Sequence, residues 1–245
     1  MLVFIDETWQ KVDGREIGGL GAVAIPQQAY NRFCREVFAW KARVLGAVEL
    51  NDSELKGSNL FARAAFRRQR LHGDSRMVEA ANELFVSLRK YRAKAFVVWT
   101  HDPSLLTLRN PSSTALSDPY KALLYDVRAY LRKLPGQHMC SLNFDQRAIR
   151  DDEATACAVQ NLLVRSRGDW RRLFMHVPNF TVSSVSPGLQ AADVVTYLGA
   201  CFSREDARPE LAPFLGEVRR LARHRPHNGR QRTFIRQIEA RAVPA

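Results

Sequence analysis

The segment Leu189-Gln190-Ala191-Ala192-Asp193-Val194-Val195-Thr196-Tyr197-Leu198 constrains the fold more than any other part of the chain. Ser186 offers a cap and Pro187 suits the first helical position, so the sequence predicts a helix over Leu189 to Cys201. Almost every neighbour of Asp193 is apolar, and a helix that is apolar nearly all round is a buried one. Its single acid is then a charge in the interior, which is costly unless it is paired or bound to a metal. Gln190, three residues earlier, shares the face of Asp193.

Hydrophobic periodicity predicts what surrounds that helix. Leu2 to Ile5 reads as a buried strand that ends at Asp6 and Glu7. Ile17 to Ile25 reads as a second strand, weakened by Gly18, Gly19 and Gly21 and closed by Pro26. Helical spacing follows over Gln28 to Leu45, Val78 to Leu88 with a continuation to Tyr91, Pro119 to Leu134 and Asp151 to Val164. Strands are expected at Ala95 to Trp99, at Met139 to Phe144 and, interrupted by Pro178, within Leu173 to Val182. Two further helices are expected near Pro213 to Ala222 and Thr233 to Ala240. Strands come first, then helices and strands alternate, which is the α/β pattern of a layered sheet. The 245 residues fit one large domain. Residues 1–204 read as that domain and 205–245 as a basic helical extension packed on it. Asp102 to Asp118 and Arg223 to Arg232 are the loose segments.

Charge narrows the partners. The chain has 37 Lys+Arg against 25 Asp+Glu, a formal +12, and 30 of the 37 cations are Arg. Arginine carries a planar fork of donors that matches phosphate and stacks on bases, so nucleic acid is the expected partner. The arginines recur in groups: Arg63, Arg67, Arg68 and Arg70 among Phe61 and Phe66; Arg165, Arg167, Arg171 and Arg172 around Trp170; and a tail from Arg219 to Arg241. Arginine beside aromatic rings suits backbone tracking with base stacking. From the second group, Arg171 and Arg172 are taken as substrate contacts. No apolar run approaches the 18 or more residues of a membrane span. The first residues carry no basic segment ahead of an apolar one, so no leader is expected. Cys34, Cys140, Cys157 and Cys201 lie far apart with no zinc-like spacing, which fits a reduced, cytoplasmic protein; Cys140 and Cys157 read as small core residues.

Four carboxylates stand where chemistry is built. Asp6 ends the first strand, and Glu7 beside it points to the opposite face. Glu54 precedes Leu55-Lys56; in an extended segment, Glu54 and Lys56 point the same way, and Lys56 is placed to neutralise a scissile phosphate. Asp145 leaves the C-terminal end of the strand Ser141 to Phe144, where open α/β sheets bind ligands. Asp193 is the acid of the buried helix, and Gln190 either fixes it or touches substrate. Converging, Asp6, Glu54, Asp145 and Asp193 make a hard oxygen site for Mg²⁺ or Mn²⁺ rather than zinc. Two such ions activate a water and stabilise the leaving oxygen of a phosphodiester.

The order Phe4-Ile5-Asp6-Glu7, Glu54-Leu55-Lys56, Asp145 after a strand, and Ser183-Ser184-Val185-Ser186-Pro187-Gly188-Leu189-Gln190-Ala191-Ala192-Asp193 resembles the domain of unknown function 3800 family. The resemblance spans roughly residues 1–200, and the Ser-x-x-Gly-Leu-Gln-x-Ala-Asp stretch is its most specific part. It implies a ribonuclease H-like fold, a mixed sheet flanked by helices, with the acids as metal ligands for nucleic-acid cleavage. Asp6 falls on the family's first-strand Asp, Glu54 and Lys56 on its Glu-x-Lys pair, Asp145 on its later strand Asp, and Gln190 and Asp193 on its helix motif. The chain departs at Thr8-Trp9, where the family often has Ser-Gly.

Other chemistries lack their motifs. There is no Gly-x-Ser-x-Gly elbow, no Gly-x4-Gly-Lys-Ser/Thr loop and no His-Glu-x-x-His spacing. The expectation is a metal-dependent nuclease or phosphodiester-transfer enzyme. A nucleic-acid-binding module with a degenerate site and a protein-interaction domain remain the alternatives.

Overall fold

The computed structural model describes residues 1–12, 15–49, 51–106, 115–136, 139–203, 208–224 and 232–238. In chain order its elements are β1 (Leu2–Val12), β2 (Arg15–Ile25), α1 (Gln27–Leu45), α2 (Gly57–Leu60), α3 (Arg63–His72), α4 (Arg76–Lys90), β3 (Lys94–Thr100), α5 (Asp118–Leu131), β4 (Ser141–Asp145), α6 (Ile149–Arg165), α7 (Trp170–Leu173), β5 (Asn179–Thr181), α8 (Pro187–Ala200), α9 (Ala212–Ala222), β6 (Arg223–His224), β7 (Arg232–Thr233) and β8 (Ile235–Gln237). Six strands form one mixed sheet in the order β5-β4-β1-β2-β3-β8, and β6 pairs with β7 apart from it. β2 runs antiparallel to β1 and β3, while β1–β4, β4–β5 and β3–β8 are parallel.

The period of two along each strand divides the core between two faces. Phe4, Val23, Ile25, Ala95 and Val97 pack under α1, α4, α8 and α9. Val3, Ile5, Leu20, Ala22, Phe96, Val98, Leu142 and Phe144 pack against α5 and α6. With both faces covered the central strands read as apolar runs, as buried sheets do. Truncating a buried side chain such as Leu189 or Leu198 to Ala removes about 2–5 kcal/mol.

Helix α8 lies across β1 and β2, and Gly21 lets it come close. Gly21 stands opposite Asp6 in the ladder. A Cβ there would sit 2.1 Å from Thr196 Oγ1 of α8. Gly19 and Gly21, which weaken the strand by propensity, thus admit the helix. Ser186 caps α8 as expected, its Oγ accepting the Leu189 N–H at 3.4 Å.

Three expectations need correction. β1 does not stop at Asp6: Thr8, Trp9 and Gln10 continue the ladder against Gly19, Gly18 and Ile17, so Asp6 lies mid-strand. The helix expected over Thr233 to Ala240 is not formed among the described residues, where Thr233 ends β7 and Ile235–Gln237 is β8; residues 239–240 lie outside the described residues. Ile235, Arg236 and Gln237 pair with Val97, Val98 and Trp99, and Phe234 packs 4.9 Å from Phe96. The open edge of β3 supplies hydrogen bonds that outweigh local helical preference. The chain after residue 204 is therefore partly helical, in α9, and partly an edge strand of the main sheet. Cys157 is exposed, not a core residue, because α6 packs through Thr155, Ala158, Val159 and Leu163. Cys34, Cys140, Cys157 and Cys201 are free. Among the described residues no helix is long and apolar enough to cross a membrane.

Candidate functional site

Alternation along β1 sends Asp6 to the α8 side, with Phe4, and Glu7 to the other side, with Val3 and Ile5. β4 does the same: Leu142 and Phe144 enter the α5–α6 core, which leaves Asp145 on the side of Asp6. The parallel ladder pairs Ile5 with Phe144, so Asp6 and Asp145 are the next residues along neighbouring strands. α8 then brings Asp193 over that corner of the sheet. Thr196 Oγ1, one turn of α8 further on, stands 3.4 Å from the Asp6 carbonyl oxygen.

Glu54 and Lys56 come from the segment ahead of α2. Lys56 has extended backbone (φ −116°, ψ 132°), and its Nζ lies 3.4 Å from Glu54 Oε1, so the two side chains do point the same way. Backbone and hydroxyl donors then fix the acids. The Gly57 N–H donates to Asp193 Oδ1 at 2.6 Å. The Ser183 N–H donates to Asp145 Oδ1 at 3.0 Å, and Ser183 Oγ donates to Glu54 Oε1 at 2.7 Å. Gly57 must be a glycine for this approach, because a Cβ there would lie 2.4 Å from Tyr197 Cβ.

Gln190 fastens these segments together. Its Oε1 accepts the Leu55 N–H at 3.2 Å and stands 3.5 Å from Lys41 Nζ, and its Nε2 donates to the carbonyls of Ser183 and Ser184 at 3.0 and 2.9 Å. It is 1% exposed. Both ends of its amide are thus used inside the protein, and it positions the Glu54 and Ser183 segments rather than facing a substrate.

The electrostatics report convergence. Burial, then the charges of Asp193, Glu7 and Asp145, holds the Asp6 carboxyl well above the usual carboxylate range. Burial also raises Asp145, opposed by the Ser183 hydrogen bonds and Lys56 and reinforced by Glu54. Burial raises Asp193 against the Gly57 N–H and Lys56, with Glu54 and Asp145 adding to the rise. Lys56 shifts upward: burial works against its charge and is outweighed by Glu54, Asp193 and Asp145. Like charges that raise one another are the signature of carboxylates sharing a site.

Four further residues serve the site. Glu7, on the far face of β1, accepts from Tyr120 Oη and from Arg147 Nη1 at 3.2 Å; its carboxyl is pushed up to about 6, by burial above all. Arg147 also donates to Thr155 Oγ1 at 2.8 Å, so it joins the residue after Asp6 to the loop after Asp145. Ser183 lies in the motif already quoted. Lys41, 2% exposed, is a cation at a core position of α1. Its place directly after Trp40 in an apolar helical spacing is the signal that marks it.

Arg171 and Arg172 are not brought to the acids. The end of α7 adjoins the start of β4, where the Cys140 N–H donates to the Leu173 carbonyl at 2.8 Å. Asp145 lies five residues further along, about 16 Å away at the opposite end of the strand. Arg171 Nη2 donates to the Val164 carbonyl at 2.7 Å. The aromatic rings of the arginine groups are also unavailable for stacking on bases: Phe61, Phe66 and Trp170 are buried. Of the tail, Arg236 pairs with buried Asp126 and Arg219 lies over Phe202, while Arg225, Arg230 and Arg241 lie outside the described residues.

Asp6, Glu54, Asp145 and Asp193 offer only carboxylate oxygen, which suits a hard divalent ion, and such an ion would offset the burial and the repulsion that raise Asp6, Asp145 and Asp193. Among the described residues no three His, Cys, Asp or Glu side chains are already grouped at metal-binding spacing. The backbone therefore gathers the donors on one face without closing them into a coordination shell. Comparison with family models, with curated proteins and with solved structures gives no match.

Proposed function

We propose that this chain is a divalent-metal-dependent enzyme that cleaves or transfers phosphodiester bonds of nucleic acid, on a sheet of the ribonuclease H-like kind. The observation that carries this reading is that two neighbouring strands and one helix bring Asp6, Asp145 and Asp193 to one face, where, beyond burial, the charges of Asp193 and Asp145 raise the Asp6 carboxyl and that of Asp145 raises Asp193. A six-stranded mixed sheet with helices on both faces agrees with the fold that the family resemblance implies.

Asp6, Asp145 and Asp193 would hold Mg²⁺ or Mn²⁺, with Glu54 completing the set. A hard ion there supplies positive charge to a phosphoryl oxygen and lowers the pKa of a water. The rest is the protein's own. Ser183 orients both Asp145 and Glu54, Gly57 orients Asp193, and Gln190 fixes the segments that carry them. Lys56, partly exposed beside Glu54, is the cation of the cluster that meets a scissile phosphate. Glu54, oriented by Ser183 Oγ, is the carboxylate placed to accept a proton from the attacking water.

The test is cleavage of labelled single-stranded and duplex DNA and RNA by purified protein in chelator, followed by addition of Mg²⁺ or Mn²⁺. Cleavage that appears only with the ion is the expected result. Undiminished cleavage in excess chelator, or intact strands of all four substrates with either ion, overturns the reading.

A further inference from the structure

We propose that the outer face of α3 carries the phosphodiester backbone of a nucleic-acid strand to the carboxylate cluster; this rests on the function proposed above and assigns its substrate surface. α3 is firmly held from inside. Ala65 and Phe66 are buried, Phe66 stacks 6.4 Å from Phe61, and Phe61 lies 5.0 Å from Phe214. Its exposed side is dominated by cations: Arg63, Arg67, Arg68 and Arg70, followed by Arg76 at the start of α4.

Several other arginines of the fold are tied to acids within it, whereas these are not. Arg128 and Arg132 share Asp169, Arg89 pairs with Glu217, and Arg147 with Glu7. Arg68 makes only a 3.9 Å contact to exposed Asp74. The side chains of Arg63, Arg67, Arg70 and Arg76 make no hydrogen bond or ion pair among the described residues. The arrangement also works against the helix. The first turn of α3 has no acid, and Arg63 stands there against the helix dipole. Like charges at three- and four-residue spacing, as at 63, 67 and 70, repel. Neither packing nor helix stability explains them, and a polyanion does.

Position and spacing select the polyanion. Arg63 to Arg70 spans about 10 Å of helix axis, the rise of about three phosphates on one strand. α3 is joined to the cluster through α2, and the Phe61 ring stacks 6.0 Å from Tyr197, one turn of α8 beyond Asp193. A recess of about 340 Å³ lined by Glu54, Lys56, Asn59 and Met77 opens between the cluster and the start of α4. Exposed Leu71 and Met77 place apolar surface among the guanidinium groups, where a strand presents its bases. A chain of phosphates that ends at the acids satisfies all of these at once.

The experiment is fluorescence anisotropy with a single-stranded oligonucleotide about 12 nucleotides long, in chelator so that cleavage is silent, from about 50 to 200 mM salt. Wild type is compared with the triple variant Arg63→Ala, Arg67→Ala, Arg70→Ala and with the double variant Arg171→Ala, Arg172→Ala. The three α3 sites are exposed and alanine favours helix, so the triple variant folds, which circular dichroism checks. The triple variant is expected to lose at least about 10-fold in affinity at low salt and to flatten the slope of log K against log salt by about 2. The double variant should match wild type. A triple variant with the wild-type slope overturns the proposal, and so does polyglutamate that displaces the oligonucleotide as well as unlabelled strand does. Cleavage by wild type, with the same KM in the triple variant, overturns the α3 surface alone. The expected binding loss in the triple variant, beside a wild type that never cleaves with Mn²⁺, overturns the hydrolytic reading alone. Wild type that binds no strand overturns both.

Discussion

Asp193 accepts the backbone N–H of Gly57 at 2.6 Å, so the acid in the middle of α8 is tied to the segment that carries Glu54 and Lys56. Such a bond favours the carboxylate, yet Asp193 stays above its ordinary range because burial outweighs it. The protein thus holds three acids where their charged forms are disfavoured, and stability is given up where chemistry is wanted.

Asp193→Asn keeps the size of the side chain and an oxygen to accept from Gly57, while it removes the charge. Metal-dependent cleavage is expected to fall by at least about 10²-fold, as for loss of one electrostatic contributor. Steady-state cleavage and circular dichroism on the same preparation check it. Wild-type turnover would make Asp193 a structural residue.

Asp6 gives a pH dependence of known sign. Its carboxyl is raised in the fold, so in the absence of a divalent ion its contribution to stability is greatest below the unfolded value of about 4. That contribution is lost as pH rises through the folded value. Asp6→Asn removes the loss and is expected to melt higher than wild type at pH 7 in chelator, with the gap closing towards about pH 4. Mg²⁺ or Mn²⁺ should raise the Tm of wild type more than that of the variant. Thermal melts across pH, with and without ion, read both effects.

Gly21→Ala places a methyl group 2.1 Å from Thr196 Oγ1. Overpacking of this kind costs about 1–3 kcal/mol. Urea denaturation should show the loss, and adding Thr196→Ala should recover part of it. A single variant as stable as wild type would mean that α8 is free to move off the sheet.

Arg147→Met leaves Glu7 buried without the cation that lowers its pKa. The Glu7 carboxyl then rises beyond about 6, and the charged form is penalised above that pH. The expected loss at pH 8 is about 1–3 kcal/mol, below that of a fully buried pair because Arg147 is partly exposed. It should shrink as pH falls towards the unfolded Glu value of about 4.3. Denaturation of both proteins at pH 5 and 8 checks the sign.

Much of the candidate site was legible in the sequence because its signals are local. The apolar run around Asp193 marked a buried helix with a charge in it. The two-residue period of a strand put Asp6 and Glu7 on opposite faces. Asp145 stood at the C-terminal end of β4 because an apolar run stopped there. Glu54 and Lys56 pointed together because the backbone between them is extended.

What only the tertiary structure decided was which local features meet. Ile235 to Gln237 became strand because β3 offered an open edge, which no property of that segment contains. Gln190 became a fastening between two loops because both loops arrive at α8 from distant parts of the chain. Arg171 and Arg172 looked like Arg63 and Arg67 by composition. α7 adjoins the start of β4, whereas α2 and α3 follow directly on Glu54 and Lys56. Periodicity fixes the face on which a side chain lies, within one element. Which end of the sheet a loop reaches depends on strand order and crossover direction, and these are set by burial of the whole sheet between its two helical layers.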